Sequence, residues 1–288
     1  MVMPTIELVE CSRDAMQGWP RIIDTAEKIA YLNTLLKVGF DVLDFGSFVS
    51  PKAVPQMADT EAVLAGLDLS GSKTKLLAIV ANLRGAAAAA EFEQISYLGF
   101  PFSISPTFQL RNTNSSIEKS VITIEEIQEL CAKNNKTLVV YLSMGFGNPY
   151  GDEYNEEILL RWADEMASRD VAIISLADTV GLATPLQITK ALNALLPVYT
   201  NVKFSVHLHS RIENRAEKIE AAIDAGCTRF EGALKGIGGC PFAQDELVGN
   251  IDSAYLIRLF EEKKMLELID HAALNNSLQM AEKVFSEF

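Results

Sequence analysis

Eight short runs rich in β-branched and aliphatic residues recur along the chain, and their number and spacing constrain the fold more than any other feature. They are TIELVE (5–10), DVLDF (41–45), KLLAIVA (75–81), YLGFPFSIS (97–105), TLVVYLS (137–143), VAIISLA (171–177), VKFSVHLH (202–209) and TRFEGAL (228–234). Between most of them apolar residues return at steps of three and four, as at Ile29, Leu32, Leu35 and Leu36, or at Ile219, Ala222 and Ile223. These stretches close on Gly39 and Gly226. Strands that are apolar almost throughout, alternating with amphipathic helices, imply a parallel sheet covered on both faces. Eight such units predict an α/β fold of the (β/α)8 TIM-barrel class. An open, doubly wound sheet is the competing arrangement, but no glycine-rich fingerprint follows an early strand.

No Pro/Gly/Ser-rich linker divides the chain, so the expectation is one unit over residues 1–288, with the barrel over about 5–262. Additional C-terminal helices are expected over about 263–288, where Leu266, Ile269, Leu274 and Phe285 continue the apolar pattern. The AAAAA stretch at 86–90 reads as a helix packed closely on a neighbour. A formal net charge of −13 argues against nucleic acid and anionic lipid as partners, because a phosphate-tracking surface needs clustered Lys and Arg. No apolar run approaches the roughly 18 residues that span a bilayer, and the N-terminal MVMPTIELVE lacks a basic region followed by an apolar one. A cytoplasmic location is the expectation. Cys11, Cys131, Cys227 and Cys240 are too scattered for a disulfide framework or a zinc knuckle and are expected to be reduced thiols.

In a barrel of this class the chemistry sits at the carboxyl ends of the strands. Residues two apart on a strand project to one face, so His207 and His209, ending the seventh run, would face the mouth together. An isolated H-x-H reads equally well as a pair of ordinary hydrogen-bonded histidines. Other strand ends add to it: CSRDAMQG (11–18) brings Arg13 and Asp14, DFGSFVSPKAVPQM (44–57) follows the second run, and LADTVGLATP (176–185) follows the sixth. Taken singly, Asp178 before Thr179 reads as a turn or helix cap. As a set, Asp14, two imidazoles and an amide oxygen such as that of Asn250 make a mixed O/N shell suited to Mg²⁺ or Mn²⁺.

The segments RDAMQG, SFVSPKAVPQM, SLADTVGLATP, HLH and GIGGCPFAQDELVGN (236–250) resemble 3-hydroxy-3-methylglutaryl-CoA lyase, of the metallolyase barrel superfamily, over roughly residues 6 to 275. The resemblance implies metal ligands at Asp14, His207, His209 and Asn250, a catalytic arginine at Arg13 and a catalytic thiol at Cys240. It places Gln17, Asp44, Ser47, Ser175, Asp178 and Thr179 around the substrate, and implies an acyl-CoA substrate, a homodimer and a place in leucine breakdown. Departures from the family pattern are Ala15 after the Arg-Asp pair, Asp44 for the usual Glu, Ser210 after H-x-H, and one extra residue between Cys240 and Asn250.

Retro-Claisen cleavage asks for these residue types. A base takes the hydroxyl proton, for which His207 is preferred and Asp14 is the alternative. Arg13 stabilises the departing enolate, and Cys240, whose preceding glycines allow a loop to close, returns a proton. Lys52, Arg84 and Arg111 are candidate partners for CoA phosphates. Cys131 and Cys227 read as buried packing thiols, Asn112 and Asn114 as turn and N-cap residues for the helix near Ser116, His271 as a surface or packing residue and EEKK (261–264) as a solvated helix face. A Claisen condensing enzyme or a 4-hydroxy-2-oxoacid aldolase would share the metal shell; a zinc hydrolase barrel would need more histidines. A metal-stabilised binding barrel would not need Arg13 and Cys240 beside the ion.

Overall fold

The computed structural model describes residues 5–239, 248–266 and 269–286. All eight apolar runs are strands: β1 (Glu7–Glu10), β2 (Val42–Ser47), β3 (Lys75–Ile79), β4 (Ile95–Ser103), β5 (Thr137–Ser143), β6 (Ile173–Asp178), β7 (Lys203–Leu208) and β8 (Arg229–Gly232). Each pairs in parallel with the next, and β8 pairs with β1 to close the barrel. The helices are α1 (Ser12–Gln17), α2 (Thr25–Leu35), α3 (Thr60–Ala65), α4 (Leu83–Ala90), α5 (Pro106–Thr113), α6 (Ile117–Lys133), α7 (Glu156–Ala167), α8 (Pro185–Leu195), α9 (Arg215–Asp224), α10 (Ser253–Glu262) and α11 (His271–Val284). No described helix is long and apolar enough to cross a membrane.

The local chemistry explains several of these elements. Asn82 caps α4 through its side chain, and Ala86 and Ala89 are fully buried where α4 packs on β4 and α6, which is the close approach the alanine run predicts. Asn114 takes the left-handed conformation that ends α5, and the hydroxyl of Ser116 caps α6. One appended helix, α11, follows the barrel among the described residues. Phe285 at its end stands edge-on to Trp19 and Tyr31, at centroid distances of 5.2 and 5.8 Å, and so docks it against α2. Cys131 and Cys227 are buried, and His271 pairs with Glu261 in a largely exposed position, all as the sequence suggests.

Inside the barrel the alternation of the pleat decides what meets at the axis. Gly99 on β4 clears room there: a Cβ at that position would lie 2.6 Å from Ile79 Cδ1 and 3.0 Å from Tyr141 Cε2. Tyr141 on β5 then stands edge-on to His207 across the barrel. Glu10 on β1 faces away from the axis, where its carboxyl accepts from Leu234 N–H and pairs with the Ser253 hydroxyl, tying β1 to the start of α10.

Burial pushes Glu10 up to about 8, against the lowering effect of those hydrogen bonds. The folded protein therefore keeps this proton over a range in which the unfolded chain has lost it. The stability that comes with the protonated form is full below about pH 4.5 and is lost as the pH rises toward 8, at about 1.4 kcal/mol per pH unit. Glu10→Gln, which copies the neutral acid, is expected to flatten the fall in unfolding free energy between pH 5 and 8, measured by urea denaturation. Parallel curves for the two proteins would contradict this.

Candidate active site

The first turn after β1 supplies Arg13 and Asp14, both within α1. Arg13 is 8% exposed, and its fork is almost fully used. Nε–H and one Nη2–H reach Asp44, the latter at 2.7 Å, while Nη1 donates to Asp14 Oδ1 and to Gln17 Oε1, each at 3.1 Å. A guanidinium has five N–H donors, so among the described residues one Nη2–H is left over. Burial alone would lower the Arg13 pKa, but Asp44 and Asp14 hold it above its ordinary range. Burial pushes Asp44 up to about 6 in spite of Arg13. Asp44 is fully buried at a register shift on β2, so it fixes the guanidinium from behind and does not line an open pocket.

Asp14 faces the two histidines. Burial would raise its carboxyl, but Arg13 foremost, then His207 and His209, bring it down to about 2. The Nε2 atoms of His207 and His209 stand 3.2 Å apart. Each ring spends its other nitrogen on an acceptor: His209 Nδ1 on Val248 O at 2.7 Å, His207 Nδ1 on Glu231 Oε2 at 3.2 Å. Burial works to lower His207, but Glu231 carries it above its usual value, whereas burial and the neighbouring His207 lower His209. Asn250, brought back to the mouth by its bridge to His209, donates Nδ2–H to Asp14 Oδ2 at 2.7 Å. Its Oδ1 is buried without a hydrogen-bond partner among the described residues.

This donor set fits a divalent cation. Asp14, His207 and His209 each offer an atom within 4.8 Å of the others, and Asn250, bonded to Asp14 through Nδ2, carries a buried oxygen without a partner among the described residues that suits a further ligand. Gly238, at φ +123°, makes room for it: a Cβ there would lie 2.3 Å from Asn250 Nδ2 and 2.9 Å from Asp14 Oδ2.

The structure gathers Arg13, Asp14, Gln17, Asp44, His207, His209 and Asn250 at one mouth. It places the other predicted residues differently. Ser47 ends β2 and is buried, its hydroxyl accepting from Val49 N–H. The Ser175 hydroxyl donates inside the barrel to Glu231 Oε1 at 2.9 Å. Thr179 Oγ1 accepts from Met144 N–H and pins the turn after β5. Asp178 is committed to a buried ion pair with Lys218 at 2.9 Å and also accepts from Ala183 N–H. Cys240 lies outside the described residues. Lys52, Arg84 and Arg111 are exposed on the carboxyl side of the barrel, Arg111 stacked over Tyr150.

Sequence reasoning missed Glu231 and Lys218. Glu231 carried a signal, an acid two residues after Arg229 inside an otherwise apolar run. Lys218 carried none, because a lysine in a helix with the pattern NRAEKIEAAID reads as solvated. Its ammonium instead donates to Asp178, Gly181 O and His209 O, holding the ends of β6 and β7 together.

The fold and the site together define a barrel enzyme whose chemistry is gathered at the carboxyl ends of its strands. The chain belongs to the HMGL-like family, whose model matches residues 6–281. It is 31% identical to hydroxymethylglutaryl-CoA lyase YngG of Bacillus subtilis over 87% of this chain and 83% of that protein. It is 29% identical to (R)-citramalyl-CoA lyase of Chloroflexus aurantiacus over 94% and 88% of the two chains. The structure of an HMG-CoA lyase from Acinetobacter baumannii, in complex with coenzyme A and 3-methylmalate, superposes with a TM-score of 0.90 at 29% identity, covering 98% of this chain and 91% of that one.

Removing one partner of a buried ion pair strands the other charge, at a cost of about 3–5 kcal/mol. Lys218→Met is expected to lose stability of that order in chemical denaturation, and Lys218→Met with Asp178→Asn to recover most of it. A single variant as stable as the native protein would contradict the assignment.

Proposed function

We propose that this chain is a divalent-metal-dependent carbon–carbon lyase that cleaves 3-hydroxy-3-methylglutaryl-CoA to acetyl-CoA and acetoacetate. The observation that carries the reading is the convergence of the Arg13 fork with Asp14, His207, His209 and Asn250 at one barrel mouth, in a chain of the HMGL-like family. Coenzyme A in the related structure supports an acyl-CoA substrate. Two oxygens and two imidazole nitrogens favour Mg²⁺ or Mn²⁺ over a thiolate-bound zinc. Bound there, such an ion would orient the substrate's hydroxyl and make it more acidic.

The protein's own groups account for the remaining steps. Loss of the hydroxyl proton turns the carbinol into a ketone, and the electron pair of the broken C–C bond passes to the thioester enolate. His207 was the preferred base, but with Nδ1 on Glu231 its one remaining lone pair faces the donor set. A single lone pair cannot serve a cation and a proton at once, so the role passes to Asp14. That carboxylate has lone pairs beyond those given to Arg13 and Asn250, and its low pKa makes it a passing holder of the proton. The uncommitted Nη2–H of Arg13 is available to the enolate oxygen. Cys240, outside the described residues, follows the Gly238–Gly239 pair beside the site and is assigned the proton delivered to the enolate carbon, on sequence grounds. Barrel and α11 act as one unit in this reading. The homodimer and leucine breakdown rest on the family resemblance alone, and the cytoplasmic location on the sequence pattern alone.

The test is acetyl-CoA release from 3-hydroxy-3-methylglutaryl-CoA with Mg²⁺ or with EDTA. Native protein is expected to be active only with the ion, Arg13→Met to lose about a hundredfold or more in kcat, and Cys240→Ala to lose most of its turnover. No cleavage by folded, metal-loaded native protein would overturn the substrate. Cleavage of citramalyl-CoA in its place would keep the lyase and move the acyl group.

A further inference from the structure

Glu231 takes no part in the steps above, yet it is the carboxylate on which the interior of the barrel converges. The register of β8 sets Glu231 beside His207 on β7 and beside Val9 on β1. Ser205 lies two residues before His207 and so shares its inward face, and Ser175 is the register partner of Ser205 on β6. Two strands, β6 and β7, thus deliver two hydroxyls and an imidazole to one carboxylate on a third. Ser175 and Ser205 donate to Oε1 at 2.9 and 2.8 Å, and His207 Nδ1 lies 3.2 Å from Oε2. The Cys11 thiol reaches the same Oε2 at 3.9 Å.

Glu231 is 1% exposed, in a barrel interior of the kind usually filled by Val, Ile and Leu. Taking a carboxylate there costs several kcal/mol before its partners offset it, so an aliphatic residue would be the simpler choice for packing alone. The two serines serve one oxygen and leave the other facing the imidazole. Ser175, read from sequence as lining the substrate pocket, supports that arrangement from beneath.

We propose that Glu231, held in place by Ser175 and Ser205, is a positioning residue for His207. It accepts the Nδ1 proton, which fixes the tautomer and aims the Nε2 lone pair at the cluster of Asp14, His209 and Asn250. Its charge also makes that lone pair a stronger donor to a divalent cation, as outer carboxylates do for ligating histidines. The inference rests on reading His207 as a metal ligand.

The test compares Mn²⁺ affinity, by EPR titration, in native protein, Glu231→Gln and Glu231→Met, with ¹⁵N NMR of His207 in the Mg²⁺-bound proteins. Glu231→Met removes the acceptor; it is expected to bind Mn²⁺ about tenfold to a hundredfold more weakly and to lose the Nδ1-protonated tautomer. Glu231→Gln keeps an acceptor without the charge; it is expected to keep the tautomer and to bind with intermediate affinity. A merely structural role would lower stability without producing this order. Native-like Mn²⁺ affinity and an unchanged tautomer in folded Glu231→Met would overturn the inference. Should that variant not fold, affinity within twofold of native in Glu231→Gln would do the same. His207→Ala separates the two readings: if it binds Mn²⁺ as native protein does, the ligand assignment itself fails, whereas loss of binding there with native-like Glu231 variants removes the positioning role alone.

Discussion

Two imidazole nitrogens 3.2 Å apart in a buried site cannot both present lone pairs to one another without a cation between them. Acceptors beside the other ring nitrogens, Glu231 Oε2 at Nδ1 of His207 and the Val248 carbonyl at Nδ1 of His209, favour the Nδ1-protonated tautomer in both rings, with the Cys11 thiol 3.8 Å from the same His207 nitrogen. A proton meets the need in the absence of a metal, consistent with the opposite directions in which the two histidines are shifted. A divalent ion meets it better, since the Asp14 carboxylate lies within reach of both rings, and Asn250, bonded to Asp14 through Nδ2, keeps a buried oxygen with no partner among the described residues. Much of the mouth is arranged around this requirement: Gly238 leaves space for the amide, and Lys218 ties the His209 carbonyl to Asp178 and Gly181.

The barrel makes this arrangement possible because parallel closure brings every strand's carboxyl end to one rim. It also exacts a cost. Asp44 and Glu231 are charges placed where a barrel usually keeps aliphatic side chains, and Arg13 is buried beside the first of them. Each is paired in fixed geometry, so that Asp44 orients the guanidinium much as Glu231 orients the imidazole. Both acidic groups act through a neighbour, and neither lines the open pocket.

The fold was legible because eight apolar runs at regular spacing admit few arrangements, and the strand-end rule then located Arg13, Asp14 and the two histidines. The rest was harder to read for physical reasons. Whether a hydroxyl lines a pocket or supports it depends on the pleat and on partners far away in sequence, so Ser175 and Thr179 read as substrate residues although one serves Glu231 and the other a backbone turn. Asp178 looked like a pocket acid because its partner, Lys218, is 40 residues away on a helix whose pattern reads as solvated. Our proposal of Asp14 in place of His207 as base turns on a related point: the acceptor beside the second nitrogen of His207 comes from the next strand.

The account stands on His207 and His209 jointly facing a divalent ion. Pulsed EPR of Mn²⁺ bound to protein carrying ¹⁵N-labelled histidine tests this most directly. The account predicts two directly coordinated imidazole nitrogens, one of which disappears in His207→Ala and the other in His209→Ala. Tight Mn²⁺ binding with no histidine nitrogen coupling would contradict it.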